Sequence, residues 1–175
     1  MCDALPLTTP RGIRRKEQMK IAVGLGSPKM CRLAQAVMEY LEAQGYQLTR
    51  FGTLSGSPSD YIATSLELGE AVSRGEFEQA VLFCNTGTGV TIVANKIPGV
   101  RAALCPDAYS ARIARQANNA NVLVLGIRLT GEKLALEIVE EWLKSDPGEA
   151  GETWKQFHVR TDAVEEKFRT TRKDQ

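Results

Sequence analysis

Five short apolar runs, each followed by a stretch of helical spacing, restrict this chain more than any other feature. The runs are Ile21-Ala22-Val23, Tyr46 to Phe51, Ala80 to Cys84, Val100 to Leu104 and Val122 to Leu125. Continuous apolar runs of this length read as strands buried on both faces of a parallel sheet. Between the first two, Ser27-Pro28 is a helix start signal with proline at the first helical position, and Gly45 is a stop. Leu33, Val37 and Leu41 share one face of that helix. A second helix is predicted from Tyr61 to Ser73, capped by Asp60 and ending before Gly75. A third begins within Val90 to Lys96, and a fourth runs from about Asp107 to Ala117. The fifth carries Leu134, Ala135, Ile138, Val139, Trp142 and Leu143 on one stripe. Five βα units in series imply an α/β fold: a three-layer α/β/α sandwich around a five-stranded parallel, Rossmann-like sheet. Ligands of such a sheet lie outside the carboxyl ends of its strands.

The third strand ends in Cys84-Asn85-Thr86-Gly87-Thr88-Gly89-Val90. Gly87 and Gly89 remove the Cβ atoms that would keep a ligand off the main chain. The unpaired N–H groups of the helix that follows favour negative charge, so a phosphate or an enediolate would suit the loop. The plainer reading is a tight strand-to-helix turn that binds nothing, with Cys84 as a small buried hydrophobe.

Other classes find little support. The 175 residues carry a net charge of +1 and form no basic stripe outside the two ends, which gives no case for nucleic acid. No apolar run reaches the ~20 residues that span a bilayer. Cys2, Cys31, Cys84 and Cys105 fall on unrelated elements without a C-x-x-C pair. No metal and no cofactor are therefore expected, and a reducing cytoplasm is the simplest location. Residues 1–18 are polar and basic, without the apolar core of a signal peptide, and are predicted to be a disordered leader to a domain spanning 19–146. Gly24-Leu25-Gly26 is followed by Lys29 where a dinucleotide fingerprint needs its third glycine, and no G-x-x-x-x-G-K-[ST] motif occurs.

Several blocks, in order, resemble the ribose-5-phosphate isomerase B and galactose-6-phosphate isomerase family over about Lys20 to Leu143. They are Phe51-Gly52-Thr53, Cys84-x-Thr86-Gly87-x-Gly89, Ala94-Asn95-Lys96-x-Pro98-Gly99-x-Arg101-Ala102-Ala103-Leu104, Tyr109-Ser110-Ala111-Arg112 and Asn118-Asn119-Ala120-Asn121-Val122. The resemblance implies a proton-shuttling thiol at Cys84, assisted by Thr86, acting between C1 and C2 of a sugar phosphate. Helix N-termini favour the thiolate, which fits that role. It also implies that Gly87, Thr88, Gly89 and Val90, with Thr91 beside them, hold the enediolate through N–H groups. Asn118 would reach the site from a partner subunit, and Arg115 would contact phosphate unless it lies on a solvated helix face. The family's arginine-rich phosphate segment is matched loosely by Lys155, His158 and Arg160, in a tail over 147–175 expected to pack on a partner subunit. For His158, the only histidine, packing against that neighbour is the expected role. A site shared between chains implies a homodimer or tetramer.

The departures are informative. Where the family carries Asp-His after the first strand, this chain has Gly26 and Ser27, and the histidine before the asparagine pair is Ala117. Those are the family's ring-opening groups. Asn85 replaces a glycine and adds a hydrogen-bonding group beside the reacting carbons. One explanation is an acyclic substrate such as a tetrose 4-phosphate, whose esterified 4-hydroxyl cannot close a furanose. The stretch Thr161-Asp162-Ala163-Val164-Glu165-Glu166-Lys167-Phe168 resembles the tails of erythrulose-phosphate isomerases. The other is a non-catalytic sugar-phosphate-binding homologue or the inactive subunit of a mixed complex.

Overall fold

The computed structural model describes residues 19–27, 29, 31–56, 58–147, 149 and 151–171. The leader and Pro28 lie outside the described residues. In chain order the elements are β1 (Lys20–Leu25), α1 (Arg32–Ala43), β2 (Gln47–Gly52), a 3-10 turn (Thr53–Ser55), α2 (Tyr61–Ser73), β3 (Gln79–Cys84) and α3 (Thr88–Ala94). Then come β4 (Ala102–Leu104), α4 (Ala108–Gln116), β5 (Val122–Gly126), α5 (Glu132–Lys144) and α6 (Glu152–Thr171). The strands form one parallel sheet in the order β2-β1-β3-β5-β4.

Side chains alternate across the pleat, so each strand feeds two cores. Ile21, Val23, Leu25, Val81, Phe83, Leu123 and Leu125 pack with α1 and α5 residues such as Val37, Leu41, Ile138 and Trp142. Ala22, Ala80, Leu82, Cys84, Val122 and Val124 pack with Leu68, Ala71 and Val72 of α2 and with Val90 and Ala94 of α3. β3 and β5 are buried along their whole length, which is why they read as unbroken apolar runs. The stripe on α5 buries Ala135, Ile138, Val139 and Trp142 completely, whereas Leu134 is exposed.

Asp60 caps α2 by accepting from the N–H groups of Ile62 and Ala63, and Gly45 and Gly75 follow α1 and α2 in the left-handed region. Asp107 and Ser110 form a capping box at α4. The start of α1 differs from expectation. Its cap is Cys31, whose Sγ accepts from Ala34 N at 3.4 Å. Ser27 is instead buried in the β1 loop, where its carbonyl accepts from the Thr53 hydroxyl. The tail is also more regular than expected, since most of it is the 20-residue helix α6.

Candidate active site

Parallel strands β1 and β3 are neighbours, but the chain leaves β1 toward β2 and leaves β3 toward the opposite end of the sheet. That is a switch point, where the loops after the strands part and leave a crevice. Gly26 N donates to Phe83 O at 2.9 Å and ties the two strand ends together. Cys84, the last residue of β3, is 8% exposed and lies on the α2/α3 face with Val90. Its carbonyl accepts from Ile127 N at 2.8 Å, and the Asn85 carbonyl from Arg128 N at 3.0 Å, so the β3–α3 loop is pinned to the turn after β5.

Gly87 caps α3 with φ +83°. An added Cβ would stand 2.5 Å from Leu104 Cδ1 and 3.2 Å from Val124 Cγ1. From this cap, helix geometry leaves the N–H groups of Gly87, Thr88, Gly89 and Val90 without intrahelical partners. Thr91 departs from the sequence expectation. Its N–H donates to Gly87 O at 3.1 Å and its hydroxyl to the same oxygen at 2.8 Å, so both are spent inside the helix. Asn85 and Thr86 have exposed side chains, and the Thr86 hydroxyl lies 3.5 Å from that of Thr88. Gly126 lets this loop approach: a Cβ there would be 2.8 Å from Thr86 O.

The three cysteines among the described residues are free and differ in environment. Burial pushes the Cys105 thiol up to about 11, and burial also raises the capping thiol of Cys31, partly offset by backbone N–H groups. Cys84 alone of these adjoins the glycine loop. Among the described residues no three His, Cys, Asp or Glu side chains cluster as metal ligands.

The remaining candidates lie toward the β4 edge of the sheet, away from the central strand that ends in Cys84. α4 departs from the carboxyl end of β4 and returns to the start of β5, which carries Arg115 and Asn118 away from Cys84. Asn118 is exposed there. Arg115 is on no solvated face. It is 5% exposed, donates to Ala120 O through Nη1 at 2.5 Å and lies over the Trp142 ring at 5.2 Å. Desolvation pulls this guanidinium down to about 10. Its Nη1 serves the α4–β5 turn, while its buried Nε has no hydrogen-bond partner among the described residues. His158 packs on its own chain, with Nε2 2.8 Å from Ala117 O. Lys155 pairs with Glu152 at 3.2 Å, and Arg160 lies over the Phe157 ring. Farther along α6, Asp162 approaches Arg101 at 3.8 Å and Glu165 accepts from Gly99 N at 2.8 Å. A cavity of about 340 Å3 lined by these last residues and Glu166 holds no thiol and belongs to this far edge.

One residue at the crevice escaped the sequence reading. Tyr61, the first residue of α2, is 41% exposed, and its ring lies against Gly89. The available signal was an aromatic directly after the Asp60 cap.

The profile of the Ribose/Galactose Isomerase family matches residues 23–158. A D-erythrulose-4-phosphate isomerase of Pectobacterium atrosepticum is 38% identical over 129 residues, 73% of this chain and 84% of that one. A 4-deoxy-4-sulfo-D-erythrose isomerase of a Clostridium species is 36% identical over 139 residues, covering 79% and 87%. The solved ribose-5-phosphate isomerase B of Clostridium thermocellum superposes with a TM-score of 0.78 at 37% identity, over 86% of this chain and 99% of the other. With the strand order, the Cys84 loop and these likenesses in agreement, the chain belongs to the ribose/galactose isomerase family.

Proposed function

We propose that this chain is an aldose–ketose isomerase of a small sugar phosphate, with an acyclic tetrose 4-phosphate as its substrate. The carrying observation is the Cys84 thiol beside the N–H groups of Gly87 to Val90 at the switch point, in a crevice where Gly26 and Ser27 supply no acid–base group for ring opening. As thiolate, Cys84 takes the proton from the carbon next to the carbonyl, the hydroxyl proton passes between the two enediolate oxygens, and the same thiol returns its proton to the former carbonyl carbon. The loop N–H groups hold the enediolate oxygens, each well-placed donor being worth about 3 kcal/mol. Thr86 and Asn85 present side chains to the substrate hydroxyls. Two of the relatives are named for four-carbon sugars substituted at position 4, which supports the acyclic substrate.

The second half of the site comes, on this reading, from a partner copy. Asn118, Lys155, His158 and Arg160 sit toward the β4 edge, away from Cys84, in one chain, so a homodimer with shared sites brings the two sets together. α6 supports this: Trp154, Phe157, Val164 and Phe168 are exposed at spacings of three, seven and four residues, which share one helix face. The deciding experiment is an isomerisation assay on purified protein with erythrose and erythrulose 4-phosphates, ribose 5-phosphate and allose 6-phosphate. Turnover highest in kcat/KM for the four-carbon pair is expected. A preference for ribose 5-phosphate refutes the acyclic substrate, and no turnover with retained sugar-phosphate binding refutes the enzyme. Mixing a Cys84→Ser chain with an Asn118→Ala chain should restore partial activity, and failure to do so after subunit exchange refutes the shared site.

A further inference from the structure

We propose that Gln79, Arg115 and Trp142 together hold one buried water at the amino end of the sheet, a binding site separate from the Cys84 crevice. Among the described residues, three buried side-chain polar atoms have no hydrogen-bond partner: Gln79 Oε1, Arg115 Nε and Trp142 Nε1. The three residues are 5%, 5% and 0% exposed. Two of the atoms are donors and one is an acceptor. A polar group buried without a partner forfeits its hydration, so such groups are satisfied by protein or by ordered water.

The fold brings the three together. Val81 and Phe83 of β3 pack in one layer with Ala111 and Ala114 of α4 and with Trp142 of α5. Alternation along the strand puts Gln79, two residues before Val81, on that same face. In the β3–β5 ladder Ala80 pairs with Val122, and its N–H donates to Asn121 O at 2.9 Å. Gln79 therefore stands beside the residues that lead into β5, about 4.8 Å across the sheet. Arg115 Nη1 bonds Ala120 O in that same segment, and Glu78, the neighbour of Gln79, lies near enough to act on the guanidinium charge. α5 runs back from the carboxyl end of β5, so its last turn carries Trp142 to this end, with the ring centre 5.2 Å from Arg115 Cζ. The two donors cannot bond each other, and neither bonds Gln79 Oε1, so the three atoms are spaced for a bridge. One water accepts from Arg115 Nε and Trp142 Nε1 and donates to Gln79 Oε1, which gives it the roughly three hydrogen bonds usual for buried water. An anion suits the set less well, because Gln79 turns an acceptor toward it. Fixed in this way, the guanidinium also holds the α4–β5 turn that carries Asn118 and the left-handed Asn119.

High-resolution crystals of the full chain should show one density peak within hydrogen-bonding distance of all three atoms, unchanged by a bromide soak. No peak there overturns the site, and an anomalous bromide signal makes the occupant an anion and overturns the water. Thermal melting reads the bridge independently. Gln79→Leu and Trp142→Phe each expel the water and orphan the groups that remain, so the second substitution removes a group already unpaired. The double variant should therefore lose less in Tm than the two single losses summed. Gln79→Leu combined with Leu33→Ala, in the first turn of α1 at the opposite end of the sheet, should lose the full sum. Additive losses in the Gln79→Leu, Trp142→Phe pair overturn the shared bridge even where a peak is present. Should Trp142→Phe fail to fold, the wild-type crystals decide alone.

Discussion

Alanine at Gly87 tests whether the backbone of the β3–α3 loop, as well as its sequence, builds the site. Gly87 holds φ +83°, where a Cβ costs about 1–2 kcal/mol. The new methyl would also stand 2.5 Å from Leu104 Cδ1 and 3.2 Å from Val124 Cγ1. Leu104 is 39% exposed and can swing away, but Val124 is fully buried on β5 and cannot. Mild overpacking adds about 1 kcal/mol. The total, about 2–3 kcal/mol, corresponds to a drop in Tm of roughly 4–12 °C for a domain of this size.

Gly89 is the internal control. Its φ is not in the left-handed region, and an added Cβ would meet only the half-exposed Tyr61 ring at 3.1 Å. Gly89→Ala should therefore lie within about 1 kcal/mol of wild type, the methyl's contact being set against alanine's better helix propensity. Urea denaturation of both variants gives the stabilities, and calorimetry with a four-carbon phosphohydroxamate gives the affinity of the loop. Gly87→Ala should lose both stability and affinity, because relaxing φ turns the first N–H groups of α3 away from the crevice. A Gly87→Ala protein as stable as Gly89→Ala, with hydroxamate affinity intact, would refute the claim that this left-handed residue shapes the site.

Cys84→Ser should lower kcat by orders of magnitude with little change in hydroxamate affinity, since a hydroxyl is a far weaker base than a thiol; unchanged turnover excludes Cys84 as the base. Cys105 should make the fold sensitive to alkali. The native state holds this thiol's proton up to about 11 while the unfolded chain releases it near 8.5, so stability is complete below about pH 8.5 and falls as pH rises through 11, by roughly 3 kcal/mol. Cys105→Ala should flatten that limb in urea titrations at pH 8 and 10.5, and an unchanged slope would assign it elsewhere. Arg115→Met should change stability, since it strips Ala120 O of its donor and Trp142 of its cation, but leave hydroxamate affinity alone; a loss of affinity would return Arg115 to the phosphate site.

The elements that sequence located best are those whose ends are fixed locally. Asp60 and Gly75 bound α2 where expected because a cap and a left-handed glycine act within one turn. Ser27-Pro28 misled because the signal is local, whereas Ser27 is claimed by Thr53 from 26 residues away. The family blocks divide in the same way. Cys84 to Val90 carries the proposed chemistry, but much of the block around Asn95 and Arg101 is scaffold. Asn95 exchanges two hydrogen bonds with Ala102, and Asn121 joins Arg101 N to Gly99 O. Arg115 shows why a helix position alone does not give a role: one turn of α4 decides between solvent, ligand and the Trp142 ring. The helical tail and Tyr61 were not legible, since neither breaks a pattern along the chain. Tyr61 reaches the crevice only because two glycines distant in sequence, Gly26 and Gly89, make room for it.

Ala117 brings fold and chemistry into conflict. The resemblance implies that a histidine here would restore ring opening and help only cyclic substrates. The structure adds a steric condition. Ala117 is 1% exposed at the end of α4, and its carbonyl is bonded to the His158 ring on α6. An imidazole in place of the methyl is therefore an overpacking change that costs about 1–3 kcal/mol, with α6 the element free to give way. Ala117→His alone should melt earlier than wild type and gain little on ribose 5-phosphate. Combined with His158→Ala, which removes the ring packed at that carbonyl, the new histidine has space to turn outward toward a partner's site. The double variant should recover stability and raise the kcat/KM ratio of ribose 5-phosphate to erythrulose 4-phosphate above that of His158→Ala alone. If the single variant melts with wild type, Ala117 is not confined by α6. If the double variant is stable yet gains nothing on the cyclic sugar, this edge does not reach a partner's Cys84, and the shared site fails with it.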